Sequence, residues 1–290
     1  MKVCIITLGC KVNQYESNQI AAHYLADGHE VVQKFVPDAD IYIVNTCAVT
    51  SAAEKKSRNL ASRVKRANPD AKVTVCGCAG DRTLNKSLTC HALQPRKRAF
   101  IKVQDGCNNY CSYCIVPYIR GRSQSRPTID IISEIRTAAK PVVLTGIDLS
   151  SYGLDIGTTL RELCLAVDKC GFPFELSSIE VGIITSEFIK TLKNCTNFIP
   201  KFHVPLQSGS DKVLRDMNRK YTAGEYLSAI ELIRAHFPAA AISTDVIIGF
   251  PTESPEDLAK THELIAKVGF THVHTFPYSR REGTAAAKLL

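Results

Sequence analysis

Residues 104–117, QDGCNNYCSYCIVP, decide the fold because they carry three cysteines with the spacing C-x3-C-x2-C. After Cys107, Cys111 and Cys114, no further cysteine or histidine occurs before Cys164. A structural zinc site needs four protein ligands, and a bacterial ferredoxin motif has a fourth cysteine. Three thiolates on a [4Fe–4S] cube leave one iron free for a substrate or cofactor. The triplet therefore favours a [4Fe–4S] cluster with one open iron over a zinc site.

The residues after position 98 predict alternating strands and helices around this triplet. Strands are predicted at 99–103, 141–145, 174–178, 202–205, 242–248 and 271–276, with helices near 128–139, 158–169, 186–193, 210–217, 223–236 and 256–267. Six β/α units form a parallel sheet that curls toward an incomplete barrel, since a full barrel has eight. The triplet directly follows the first of these strands.

The first 80 residues predict a separate α/β sheet. Apolar, β-branched runs at 2–8, 31–35, 40–44 and 72–75 alternate with helical segments near 16–26 and 51–66. This order is typical of an open parallel sheet with helices on its faces. The fold class is therefore α/β, with an N-terminal open parallel sheet domain at 1–90 and a partial (β/α)6 barrel at 98–290. The boundary falls between 79 and 98, where apolar residues are few.

Three cysteines of the first domain each follow a predicted strand. Cys10, Cys47 and Cys78 fall at the carboxyl ends of parallel strands, which is where open α/β sheets bind ligands. We expect them to form one site, although free cysteine is also among the most buried residue types. Cys76 is an alternative ligand because it lies two residues before Cys78, and core packing is the better interpretation for it.

Composition sets limits on location and partners. The chain has 290 residues, 45% of them hydrophobic, and a net charge of +8 from 36 basic and 28 acidic residues. This excess is compatible with nucleic acid without establishing it. The apolar runs are only strand-length, and the nine residues before Cys10 are too few for an export signal. We expect a cytoplasmic protein without membrane contact, whose twelve cysteines are reduced.

The triplet, with Tyr113 just before its last cysteine, resembles the signature of the radical S-adenosylmethionine enzymes. In that superfamily, S-adenosylmethionine chelates the open iron through its amino and carboxylate groups. One electron then cleaves its sulfonium to methionine and a 5′-deoxyadenosyl radical. The resemblance implies the same partial barrel, with the signature after its first strand.

Further motifs narrow the resemblance to the methylthiotransferase family. The segments GCKVNQYES (9–17), VNTCAVT (44–50) and VCGCA (75–79) are similar to that family's N-terminal domain, and HVPLQSGSDKVLRDMNRKY (203–221) and DVIIGFPTE (245–253) to its barrel. The resemblance implies a second [4Fe–4S] cluster on Cys10, Cys47 and Cys78. It also implies addition of a methylthio group to C2 of a modified adenosine at position 37 of transfer RNA.

The motif around Cys10 most resembles the branch that acts on N6-threonylcarbamoyladenosine. The alternatives are the same reaction on N6-isopentenyladenosine, another radical reaction, and an iron–sulfur protein of this fold without turnover. Two departures from the family motivate the last one. Only 28 residues separate Cys78 from Cys107, and the chain ends soon after the sixth predicted strand, so we expect it to lack the small C-terminal β-barrel that binds RNA.

Contacts and partners follow from the same resemblance. Tyr113, Gly146, Gln207, Ser208 and Gly249 are expected around S-adenosylmethionine, although glycine after a strand is also ordinary turn chemistry. No side chain is expected to be catalytic itself, because the clusters and S-adenosylmethionine carry the chemistry. The expected partners are the tRNA anticodon loop and an electron donor such as flavodoxin or ferredoxin, with the chain a monomer.

Basic residues cluster in three places in the sequence. These are Arg58/Arg63/Lys65/Arg66, Arg96/Lys97/Arg98 and Arg120/Arg122/Arg126. The first is expected to be a solvated helix face, the usual outcome for a charge run. The third follows the cysteine triplet and is expected to contact RNA phosphate or the cofactor.

Overall fold

The computed structural model describes residues 1–88 and 90–289. The chain forms two compact units, with the first ending at Lys102 and the second beginning at Val103. In the described part of the chain, no helix combines the length and apolarity needed to cross a bilayer.

The first unit is built on a parallel sheet. The strands of this sheet are β1 (Lys2–Thr7), β2 (Glu30–Val32), β3 (Ile41–Thr46) and β4 (Lys72–Gly77). The unit also contains the strand β5 (Ala99–Lys102), which is not part of this sheet, and the helices α1 (Lys11–Ala26), α2 (Ser51–Ala67) and α3 (Thr83–Ser87). Strands β2, β1, β3 and β4 pair in that order, all parallel. The open parallel sheet expected from the sequence is confirmed.

Both faces of this sheet are buried. Side chains alternate along each strand, so Val3 and Ile5 pack with Ile20 of α1, whereas Cys4 and Tyr42 pack with Val64 of α2. Two helices on opposite faces leave the strand ends as the accessible edge of the sheet, where connecting loops collect.

The second unit alternates strands and helices. Its strands are β6 (Gln104–Asp105), β7 (Gln124–Ser125), β8 (Val142–Thr145), β9 (Phe174–Leu176), β10 (Lys201–His203), β11 (Ala241–Ile248) and β12 (His272–Pro277). Its helices are α4 (Val116–Arg120), α5 (Thr128–Ala138), α6 (Leu160–Asp168), α7 (Ser186–Asn194), α8 (Asp211–Asp216), α9 (Ala223–His236) and α10 (Pro255–Val268).

Consecutive strands of the second unit are neighbours in space. Strands β8 and β9 pair in parallel, as do β10, β11 and β12, and a parallel bridge between Ser178 and His203 links the two groups. Val103 extends this arrangement by donating its N–H to the Thr145 carbonyl at 2.9 Å. Parallel strands in chain order, each but the last followed by a helix, are the barrel architecture expected from the sequence.

Several short elements were not expected from the sequence. Among them are the hairpin of the two-residue strands β6 and β7 and the five-residue helices α3 and α4. Helix α1 also begins at Lys11, five residues earlier than the predicted start near 16. Each of these lies beside a cysteine motif and fixes the chain that carries it.

Candidate functional site

Hydrogen bonds hold the loop that carries Cys107, Cys111 and Cys114 at the end of the barrel where the carboxyl ends of the strands lie. Cys107 N–H donates to the Gly121 carbonyl at 3.1 Å, and Cys114 N–H donates to the Cys111 carbonyl at 2.9 Å. Gly106 has a φ of +73°, and a Cβ there would lie 2.1 Å from the Arg122 carbonyl oxygen. The loop therefore requires glycine immediately before its first cysteine.

The barrel thiols are in surroundings that suit a cationic cluster. Burial raises the pKa of Cys107 to about 12 and that of Cys114 to about 11. The Cys111 sulfur accepts a hydrogen bond from Arg219 Nη1 at 3.2 Å. Burial disfavours the thiolate form of these cysteines, so the positive charge of bound iron would be what holds them deprotonated.

The spacing of the sulfurs also bears on the kind of metal centre. Among the described residues, the three sulfurs of neither cysteine triplet come close enough together to be ligands of one shared ion. In a [4Fe–4S] cube each thiolate binds a different iron, so the sulfurs stand further apart. The donor set therefore fits a cube better than a zinc ion.

A cavity of about 330 Å³ lies beside Cys111. Its lining includes Asp148, Glu180 and Arg219, which project from the loops after β8 and β9 and after helix α8. Carboxyl ends of barrel strands are where barrel enzymes place their reacting groups. A cavity with both carboxylates and a guanidinium can hold a zwitterion.

These charged groups are linked to one another and to the cysteines. Arg219 is almost fully buried and pairs with Glu180, and its Nε donates to the Tyr221 hydroxyl at 3.1 Å. Asp148 Oδ2 accepts from Asn109 Nδ2 at 3.1 Å and lies 3.9 Å from the Cys107 sulfur. Burial raises the pKa of both Asp148 and Glu180. No sequence motif indicated these residues, although Asp148 and Glu180 occur just past strand ends.

Gly146 has a positioning role that the structure makes visible. A Cβ at Gly146 would lie 2.8 Å from Gln104 Oε1. That oxygen accepts the N–H of Asp148 at 2.9 Å, and Gln104 Nε2 donates to the Gly106 carbonyl at 2.7 Å. The amide of Gln104 thus joins the cysteine loop to the cavity wall, and the space for it exists because residue 146 has no side chain.

The other residues expected near S-adenosylmethionine lie elsewhere on the barrel. Ser208 is fully buried, with its hydroxyl 3.3 Å from that of Thr261 in α10. Gln207 has a φ of +65° and donates its N–H to the Asp245 carbonyl. Gly249 N–H donates to Glu253 Oε2 at 2.6 Å.

Tyr113, just before the last cysteine of the triplet, has an apolar environment. It packs against a buried cluster that includes Met217 and Phe250, and burial raises the pKa of its hydroxyl. In the part of the chain that the structure describes, Tyr113, Gly146, Gln207, Ser208 and Gly249 are not among the residues lining the cavity. Their contact with S-adenosylmethionine stays a prediction.

The three N-terminal cysteines gather around Asn13 in helix α1. Asn13 Oδ1 lies 3.5 Å from the Cys10 sulfur and 4.0 Å from the Cys78 sulfur. A Cβ at Gly9 would lie 3.0 Å from Cys47 Cβ and 3.3 Å from Asn13 Nδ2, so the third cysteine reaches the same place. The structure brings these three residues together, as their positions after strands predict.

Backbone contacts fix this cysteine group. Asn13 Nδ2 donates to the Thr46 carbonyl at 2.6 Å, and Asn45 Nδ2 donates to the Asn13 carbonyl at 2.9 Å. Cys78 N–H donates to the Thr46 carbonyl at 3.0 Å. Three thiols on one edge, with their supporting amides already paired to the backbone, fit a cluster held by three protein ligands.

Cys76 belongs to the core. It is fully buried with Ile5, Ile20 and Ile43, and burial raises the pKa of its thiol to about 12. Alternation along β4 sends Cys76 into the apolar layer, whereas Cys78 lies past the end of the strand. Cys78 is therefore better placed to be the ligand.

The structure changes the interpretation of the basic cluster after the triplet. Arg120 is buried and forms an ion pair with Asp105 at 2.8 Å, and Arg126 pairs with Glu134 at 2.8 Å. These two arginines tie the chain after the triplet to the barrel, so the expectation that they contact RNA is not supported. Arg122 is exposed. The basic residues of α2 are exposed, in accord with a solvated helix face.

Family models match both units of the chain. The model described as the radical SAM superfamily matches residues 101–265, and the model described as uncharacterized protein family UPF0004 matches residues 2–94. Together with the two cysteine sites, these matches define an iron–sulfur enzyme of the radical S-adenosylmethionine class.

Proteins of similar sequence identify the family within this class of enzymes. Threonylcarbamoyladenosine tRNA methylthiotransferase MtaB of Chlamydia pneumoniae is 38% identical, over 97% of this chain and 76% of that protein. The protein of the same name from Bacillus subtilis is 33% identical, over 99% and 75%. A tRNA-2-methylthio-N(6)-dimethylallyladenosine synthase of Acetivibrio thermocellus is 31% identical, over 99% and 72%. The chain belongs to the radical S-adenosylmethionine methylthiotransferase family, whose enzymes transfer methylthio groups and use S-adenosylmethionine and [4Fe–4S] clusters.

Solved structures support the fold. The radical S-adenosylmethionine methyltransferase TsrM from Kitasatospora setae matches 95% of this chain and 74% of its own, with a TM-score of 0.65 at 12% sequence identity. A likeness at this identity concerns the fold alone.

Proposed function

We propose that this chain adds a methylthio group to C2 of N6-threonylcarbamoyladenosine at position 37 of tRNA. The observation that carries the proposal is the pair of separate cysteine triplets, each at the carboxyl edge of a parallel sheet. Support for the substrate comes from the similar proteins from Chlamydia pneumoniae and Bacillus subtilis, which are named for this nucleoside.

Each triplet is assigned one cluster under this proposal. Cys107, Cys111 and Cys114 hold the [4Fe–4S] cluster of the barrel, and Cys10, Cys47 and Cys78 hold the second one. When bound, the clusters and S-adenosylmethionine supply the electron transfer, the radical and the sulfur chemistry. The side chains bind and orient these groups and the base, and positioning of this kind accounts for much of the rate of enzymatic reactions.

The cavity beside Cys111 is proposed as the site of the methionine part of S-adenosylmethionine. Arg219 offers a planar donor to its carboxylate, and Asp148 and Glu180 offer acceptors to the N–H bonds of its amino group. Because Asp148 is linked by Asn109 to the cysteine loop, binding here would be coupled to the cluster that Cys111 holds. We further propose that the partners are the anticodon loop of tRNA and an electron donor such as flavodoxin or ferredoxin. We also propose that the protein is a monomer in the cytoplasm.

The test is mass spectrometry of tRNA nucleosides from cells that lack the gene, complemented with wild type, Cys111→Ala or Cys170→Ala. Wild type and Cys170→Ala should produce the 2-methylthio derivative of N6-threonylcarbamoyladenosine, and Cys111→Ala should not. Cys170 is a suitable control because it belongs to neither cysteine triplet and lies just after α6, where its thiol donates to the Ala166 carbonyl at 3.7 Å.

Other outcomes separate the alternatives. A methylthio derivative of isopentenyladenosine instead would assign the chain to the other substrate. Unchanged tRNA nucleosides with wild type would exclude the proposed reaction.

A further inference from the structure

Two histidines and one aspartate meet on one face of the β10–β11–β12 sheet, outside both cysteine sites. The register pairs His203 with Ser243 and pairs Asp245 with His274. Because side chains alternate along a strand, Ser243 and Asp245 share a face, and their neighbours on the flanking strands share it too. Thr244 points the other way and bonds to Tyr226 of α9.

The three side chains are close enough to surround a single ion. One ligand atom from each of His203, Asp245 and His274 lies within 4.8 Å of the others, and they are the only such group among the described residues. His203 Nε2 and Asp245 Oδ2 are 3.1 Å apart. Two ligands that each lie about 2.1 Å from one metal ion are separated by about 3 to 3.4 Å.

Ser243 contacts the other ring nitrogen of His203 and holds the orientation of the ring. Its hydroxyl donates to the Phe202 carbonyl at 3.4 Å, which leaves its oxygen free to accept from His203 Nδ1 at 3.0 Å. His203 Nε2 and Asp245 Oδ2 make a hydrogen bond at 3.1 Å, and a metal ion would take the place of the proton between them while Nδ1 keeps its proton toward Ser243. A cation between these atoms satisfies both, and a metal-binding histidine usually donates its other N–H in this way.

The charge of Asp245 is also available to a cation. In the described residues, the ion pair recorded for Asp245 is with His203, and no lysine or arginine pairs with it. His274 is exposed, and its ring packs 4.2 Å from that of His272, which orients it beside the carboxylate. A cation bound here would therefore replace the contact between His203 and Asp245 and would break no lysine or arginine ion pair.

We propose that His203, Asp245 and His274 form a binding site for a divalent transition metal of the zinc class, separate from the two clusters. Two imidazoles and one carboxylate are a common ligand set for Zn²⁺ and Fe²⁺, and they leave at least one position for water or a substrate oxygen. The site has no sulfur ligand, so its metal differs spectroscopically from cluster iron. The proposal does not depend on the nucleoside that the enzyme modifies.

The test uses protein with reconstituted clusters, so that the cluster cysteines are occupied. The protein is passed over a chelating resin and titrated with Zn²⁺ against a chromophoric chelator. Wild type and His262→Ala should bind one equivalent of zinc. His203→Ala, His274→Ala and Asp245→Asn should lose it, with affinity falling at least 100-fold. His262 is an exposed histidine of α10 and serves as the matched control.

X-ray absorption of the zinc-loaded wild type gives a second readout that needs no variant. Nitrogen and oxygen neighbours at about 2.0–2.2 Å support the site, whereas sulfur at about 2.3 Å would overturn it. The absence of a zinc equivalent in wild type, or an equivalent that all three variants retain, would also overturn it. His274→Ala keeps the test decisive, because an exposed side chain on an edge strand can be removed without opening the core.

Discussion

Gly9 shows how the space at one residue determines whether a cysteine can join the N-terminal site. Its φ of +106° lies outside the range that other residues adopt readily, and Cys47 fills the space where a Cβ would be. Gly28 also has a positive φ, of +78°, but no atom lies within 4 Å of its would-be Cβ. A substitution at Gly28 therefore introduces backbone strain alone, whereas a substitution at Gly9 introduces strain and also crowds Cys47.

We predict that Gly9→Ala lowers the iron bound by the protein, by up to about four atoms per chain, because Cys47 is pushed away from the site. Gly28→Ala should lower the free energy of unfolding by about 1 kcal/mol through backbone strain and leave the iron content unchanged. Iron analysis and urea unfolding of both variants check this. Equal iron loss in the two variants would contradict the role given to the Gly9–Cys47 contact.

The cysteines could be placed from the sequence, but the charged groups of the cavity could not. Cys10, Cys47 and Cys78 each follow a strand with a clear apolar pattern, so sheet topology alone predicts that they meet. Arg219 belongs to no such pattern. Its contacts with Glu180 and Cys111 join segments that are far apart in sequence, and only the packed barrel brings them together.

The start of helix α1 could not be predicted from the hydrophobic periodicity of the sequence. Its first two turns bury polar side chains, including Asn13, Glu16 and Ser17, so the apolar spacing of a helix does not appear there. Burial is tolerated because Asn13 and Ser17 bond to the neighbouring strand and Glu16 pairs with Lys102. The hairpin of β6 and β7 was missed for another reason, since two-residue strands are too short to show alternation.

Helix α10 begins with a capping box whose acid is buried. Hydrogen bonding from Ser210, with help from Ser254 and Lys212, holds the pKa of the Asp257 carboxyl well below its usual range. Helix α9 has the same type of cap in Thr222 and Glu225, but that cap is exposed. Removing the charge from a buried carboxylate that accepts hydrogen bonds lowers the free energy of unfolding more than removing it from an exposed carboxylate.

We predict that Asp257→Asn lowers the free energy of unfolding by about 2 kcal/mol at neutral pH, and that Glu225→Gln lowers it by less. Because the pKa of the Asp257 carboxyl is depressed in the folded state, its charge stabilises the protein fully above the unfolded-state pKa near 4. That stabilisation is lost as the pH falls through the folded-state pKa. The difference between wild type and Asp257→Asn should therefore be constant from pH 8 to 5 and narrow below about pH 4. Urea unfolding across this range measures it, and a gap that widens in acid would contradict the assignment.

The whole molecule joins two α/β units that each carry a cysteine triplet at a strand edge. Alignments with the similar methylthiotransferases run over 320 to 342 positions, whereas this chain has 290 residues. The relatives therefore carry additional residues inside the aligned region. The sequence predicts a shortened stretch before the triplet. The expected convergence of Cys10, Cys47 and Cys78 is nevertheless present in the structure.

The central claim is that both triplets hold a [4Fe–4S] cluster, and counting iron and sulfide tests it most directly. The protein is reconstituted anaerobically and freed of loosely bound metal, as wild type and as the Cys10/Cys47/Cys78→Ala variant. We predict about eight irons and eight sulfides per wild-type chain and about four of each in the variant. About four irons in both proteins would contradict the claim, because the N-terminal cysteines would then hold no cluster.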